Sequence, residues 1–72
     1  MSNSTATDFL ARFTDSLSDL TPRQRVEKID AWLPALRDPR KAHRAGVNAF
    51  DQHLVVVELM TIREDNLERM AP

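Results

Sequence analysis

VNAFDQHLVVVELMTI, residues 47–62, is the stretch whose reading decides the fold, because nowhere else do large apolar side chains run with so few interruptions. Spaced at the 100° per residue of an α-helix, the apolar residues in and around it fall into two stripes. One carries Ala42, Ala45, Ala49, Val56, Leu59, Met60, Leu67 and Met70, and the other carries Val47, Phe50, Leu54 and Val57. Together they cover well over half of the helix, whereas an ordinary surface helix needs an apolar stripe about 100° wide. The opposite edge, Arg40, Arg44, Asp51, Val55, Glu58, Ile62, Asp65 and Arg69, is mostly charged and reads as the solvated side. A helix this broadly apolar needs cover on two sides. The rival reading is a strand over 54–62, where Val55, Val56, Val57 and Ile62 are β-branched. No second strand stands elsewhere in the chain to pair with it.

Working outward, residue types at local positions mark helix starts. Thr21-Pro22-Arg23-Gln24 places threonine at an N-cap, proline at the first helical position and glutamine three after the cap. Val26, Ile29, Leu33 and Leu36 form a narrow stripe beyond it, with Trp32 on one flank and Arg25 and Lys28 beside it. Pro34 removes an amide donor and disfavours helical angles at Leu33, so the helix is expected to end or kink there. Asp38-Pro39 repeats the signal of cap followed by proline, and opens a helix of about 46 Å if it continues to Arg69. Gly46 is the weak point of that rod, where a break would leave a short basic helix and a longer apolar one. Upstream, Thr7 is a cap candidate ahead of Asp8. Ala6, Phe9, Leu10, Phe13, Leu17 and Leu20 then share one face.

Seventy-two residues suffice for one domain with one small core. Cores of this size are commonly supplemented by disulfides, metals or oligomerisation. With no cysteine, disulfides and thiolate metal sites are excluded, and self-association is the supplement left. The polar start MSNSTATD has no signal-peptide pattern and no apolar run approaches the ~20 residues that span a bilayer. The expectation is a cytoplasmic protein with no membrane partner. Charge is unevenly spread around a net of −1. Residues 21–44 carry seven basic groups against three acidic ones, net +4, while 1–20 are net −2 and 45–72 net −3.

Candidate sites follow from these patterns. The broad apolar arc marks Val47, Phe50, His53, Leu54, Val57 and Met60 as a dimer or partner interface. Within the basic segment 37–44, Arg37, Arg40, Lys41 and Arg44 are candidates for anion or nucleic-acid contact, with His43 among them. Trp32 is a candidate partner anchor, against the reading of a core-edge residue covered by a lysine stem. No metal-ligand spacing, glycine-rich phosphate loop or nucleophile motif is present, so neither cofactor nor catalysis is expected.

Thr7-Asp8-Phe9-Leu10-Ala11-Arg12-Phe13, the capped second helix and a long third helix carrying Asp51 and Leu54 faintly resemble the Hha family of nucleoid co-regulators. The resemblance covers about a dozen residues in no rare motif, with a longer segment between the matched stretches, and assigns no family.

The sequence therefore predicts an all-α fold, with residues 1–5 a flexible tail and 6–72 a single helical domain. Three helices are expected, about 7–18, 22–33 and 39–69, the two short ones packed on the long C-terminal one, which dimerises. The expected function is a non-catalytic interaction module, either a homodimeric adaptor or a regulatory or inhibitory small subunit on a larger protein. The alternative is a dimeric nucleic-acid-associated transcriptional regulator using residues 37–44.

Overall fold

The structure, a computed structural model, describes residues 5–71. Four helices pack together: α1 (Thr5–Leu17), α2 (Pro22–Arg37), α3 (Pro39–Arg44) and α4 (Gln52–Met70). No strand occurs among the described residues, and 54–62, the segment with a rival strand reading, is helical. Of the expected tail at 1–5, residues 1–4 lie outside the described residues and Thr5 already belongs to α1. Thr7 is accordingly inside the helix rather than its cap.

α1 buries the face its spacing implies, with Ala6, Phe9, Phe13 and Leu17 in the core. The second helix is opened by its capping box: the Thr21 hydroxyl accepts from the Gln24 amide at 3.2 Å, and Gln24 Oε1 accepts from the Thr21 amide at 3.0 Å. Contrary to the expectation of an end near residue 33, α2 continues through Pro34 to Arg37. Burial of Leu33 and Leu36 on one side of the helix rewards that continuation, and Gln52 Nε2 donates to the Leu36 carbonyl at 2.9 Å. Asp38 then serves two helices. Its amide donates to the Ala35 carbonyl, while its carboxylate accepts from the Arg40 amide at 3.0 Å and caps α3.

The long third helix expected over 39–69 is two helices. Gly46 sits at φ 92, a left-handed angle that glycine adopts without a Cβ penalty. Its amide donates to His43 and the amide of Val47 donates to Ala42, at 3.0 and 2.9 Å, which is the double hydrogen bond of a Schellman helix end. Ala42 and Val47, the positions that accompany such an end with a hydrophobic contact, are both buried in the core. The chain then turns through 48–51, with the Asp51 amide held by Asn48 Oδ1 at 3.0 Å, before α4 begins.

α2 and α4 run antiparallel, as three links along them show: Arg25 to Asn66, Asp30 to Arg63, and Leu36 to Gln52. The core between α1, α2 and α4 contains Ile29, Leu36, Val55 and Leu59 with essentially no exposure. Val55 and Ile62, assigned to a solvated edge by the helical reading, instead face this core, Val55 completely and Ile62 in part. The buried seam of α4 falls between that edge and the stripe containing Leu59, because α2 lands there. The molecule measures 42 × 24 × 15 Å between Cα extremes. Its thinnest dimension is about the depth of two packed helices. α4 is therefore covered on one side.

Candidate interaction surface

Leu54, Val57 and Met60 lie three residues apart on α4 and project away from α2, in the direction opposite Val55, Leu59 and Asn66. They are 49%, 43% and 41% exposed, and Phe50, in the turn just ahead of the helix, is 96% exposed. A phenylalanine fully in water and three half-exposed aliphatic side chains make an apolar patch that, among the described residues, only the Arg37 guanidinium approaches, at Met60. Beside the patch runs an open groove of about 460 Å³, lined by Arg37, Ala49, Gln52, His53, Val56, Val57 and Met60. Arg37 extends over its far wall, with a guanidinium nitrogen 3.9 Å from Met60 Sδ. His53 is exposed at the rim.

Of the six residues singled out for this surface, Val47 is misplaced. Its position directly after Gly46, with its amide bonded to the Ala42 carbonyl, takes it into the core, so it is 1% exposed and offers nothing to a partner. His53, Leu54, Val57 and Met60 are exposed on α4, and Phe50 is exposed in the turn ahead of it.

Arg37, Arg40, Lys41 and Arg44 are all exposed, and none takes part in an ion pair among the described residues. They straddle the junction of α2 and α3, so they form the basic end of the molecule rather than one continuous helix face. Arg63 and Arg69, in contrast, are engaged with carboxylates, Arg63 with Asp30 at 2.7 Å and Arg69 with Asp65 at 3.1 Å.

Trp32 belongs to an aromatic cluster of the fold. Its ring lies 5.8 Å from Phe9 and 5.7 Å edge-on to Phe13, and these two stack at 5.6 Å. Lys28 Nζ sits 5.3 Å above the Phe13 ring and donates to Ser16 Oγ at 2.7 Å, so the lysine does lie at the edge of this cluster. Arg25 does not. Its guanidinium turns the other way, to the carbonyl of Leu17 at 2.9 Å and to Asn66 Oδ1 at 3.4 Å. A shallow groove of about 260 Å³ lies over the aromatic rings between Arg12 and Lys28.

Among the described residues no group of three or more His, Asp or Glu side chains gathers at metal-binding distance. None of the described helices is long and apolar enough to cross a membrane. Compared with known proteins, the chain matches no family model, no curated protein and no solved structure.

Proposed function

We propose that this chain is a non-catalytic protein–protein interaction module that works through the exposed apolar face at the start of α4. The observation that carries the reading is Phe50, 96% exposed in the turn ahead of α4, together with Leu54, Val57 and Met60, 41–49% exposed on the side of that helix away from its buried residues. Leaving such a patch in water is unfavourable by roughly 25 cal/mol for each Å² of apolar surface, so covering it with a partner drives association. The role is that of an adaptor or of a regulatory or inhibitory small subunit, and a cytoplasmic location belongs to the same reading on sequence grounds alone. The test compares the native chain with Val57→Asp, first by light scattering over a range of concentrations and then by capture of binding proteins. Association of either kind that is lost in a folded Val57→Asp chain supports the reading. A native chain that associates with nothing, or a variant that associates equally well, overturns it.

A second reading rests on the unpaired basic end. Arg37, Arg40, Lys41 and Arg44, exposed and outside any ion pair, suit a polyanion, although the net charge of −1 works against long-range attraction to one. It requires binding to duplex DNA that weakens steeply with salt and disappears when Arg40, Lys41 and Arg44 are all changed to Glu.

A further inference from the structure

We infer that the occupant of the α4 face is a second copy of this chain, docked antiparallel about a two-fold axis that crosses α4 between Leu54 and Val57. The inference rests on the reading of this face as an interaction surface, and adds to it the partner and the direction of approach.

Charge along the face supplies the first argument. On α3, which precedes Phe50 in the chain, stand Arg40, Lys41 and Arg44, exposed and without ion-pair partners among the described residues, while Arg37 reaches along the groove to Met60. Beyond Met60 the same side of α4 continues into Glu64 and Glu68, both exposed, at the helical spacing that keeps them in line with Val57. A copy laid parallel sets basic end on basic end and acidic end on acidic end. A copy laid antiparallel sets each basic end against an acidic one, and like charges across an interface are strongly disfavoured. A surface whose two ends carry opposite signs is complementary to its own reversal, which is what an isologous two-fold interface requires.

The apolar side chains supply the second argument, independent of charge. The four exposed residues run from Phe50 to Met60, and the middle of that run lies between Leu54 and Val57. A two-fold axis there places Phe50 of each copy against Met60 of the other, where the groove beneath Arg37 and His53 is open, and places Leu54 against Val57. The exposed Phe50 ring then meets the groove lined by Val56, Val57 and Met60 beside the patch. Since the described helices pack α4 on one side, a second copy completes a helix layer on the other.

The chain contains no cysteine, so introduced thiols are the only ones present and can report the register. Light scattering from low-micromolar to sub-millimolar concentration is expected to give twice the 8.2 kDa chain mass for the native protein. Val57→Asp is expected to give the single mass with unchanged helical circular dichroism. Under mild oxidation, a mixture of Leu54→Cys and Val57→Cys chains should cross-link, because a disulfide forms where Cα atoms come within about 7 Å. Glu68→Cys alone should not, its copies being held at opposite ends. A native chain monomeric at every concentration overturns the inference. If that monomer still binds another protein that the Val57→Asp chain does not, the interaction reading stands with a different occupant, and if it binds none, both fall. A dimer that persists in Val57→Asp, or that cross-links through Glu68→Cys alone, overturns the proposed arrangement as well.

Discussion

The Arg25 guanidinium meets the carboxamide of Asn66, with Nη1 3.4 Å from Oδ1, and so joins the first turn of α2 to the last turns of α4. The same guanidinium donates through Nε to the Leu17 carbonyl at 2.9 Å, closing the end of α1, whose last turn has no basic residue of its own. Asn66 is the one buried polar residue among those described, and its Nδ2 donates back to the Ile62 carbonyl at 2.8 Å. One arginine and one asparagine therefore hold three helices in register at the end of the molecule away from the apolar patch.

Asn66→Ala is expected to destabilise the fold by about 1–2 kcal/mol, because it leaves a partly buried guanidinium donor without its acceptor and opens a small void. For a domain of this size that corresponds to a melting temperature lower by roughly 4–16 °C. Arg25→Ala should cost a similar amount, and the double variant less than the two added together, since both remove one shared contact. Strict additivity in thermal melts would show that the two side chains act separately.

Gly46→Ala tests the helix break. Space is not the obstacle, since a Cβ added there would meet only Arg12 Nη2 at 3.9 Å. The left-handed angle is the obstacle, at roughly 1–2 kcal/mol for a residue with a Cβ, partly offset by a less flexible unfolded chain. A net loss of about 1 kcal/mol is expected for alanine and a smaller one for asparagine, which tolerates this conformation better. If alanine proves as stable as glycine, the chain does not turn at this residue.

Pro34→Ala should act in the opposite direction. Pro34 is exposed within a helix that runs three residues further, so the ring contributes no core contact while it takes a donor away from the Asp30 carbonyl. The full interior preference for alanine over proline is about 3 kcal/mol, reduced by the extra freedom of the unfolded alanine chain. A gain of about 1–2 kcal/mol in denaturant unfolding is expected. No gain would mean that the helix is already bent to suit the ring.

What could be read from the sequence was what neighbouring residues settle among themselves. The cap at Thr21 with Gln24, the cap at Asp38 and the buried side of α1 depend on contacts within one or two turns, and they stand where residue type and spacing place them. The end of α2 is not legible locally, because the cost of Pro34 is outweighed by burial of Leu36, a gain that no local pattern reveals. The core side of α4 was hidden for another reason. Val55, Val56 and Val57 point in three directions, so the helix looks apolar nearly all round, and only the landing site of α2 decides which third is core. The width of that arc marks Phe50, His53, Leu54, Val57 and Met60, which are exposed, and equally Val47, which the Schellman turn takes inside. Arg25 and Asn66 left no local signal, being 41 residues apart and joined only by the fold.

Substitution by aspartate at two neighbouring valines separates the two sides of α4. Val55 is completely buried against α2, so Val55→Asp places a carboxylate where no water and no cation can reach it. Its cost is several kcal/mol, a large part of the roughly 5–15 kcal/mol that keeps a small domain folded. Val57 is 43% exposed, and on the isolated chain Val57→Asp should cost no more than about 0.5 kcal/mol, the usual range for a surface change. Circular dichroism of dilute protein is therefore expected to show Val55→Asp unfolded or nearly so and Val57→Asp as helical as the native chain. Dilution matters to the comparison. If the native chain associates through Val57, its melting temperature rises with concentration while that of the Val57→Asp chain stays constant, and the two converge when both are dilute. Comparable unfolding by both substitutions at low concentration would mean that α4 is buried on both sides within one chain, and that the apolar patch is not a surface at all.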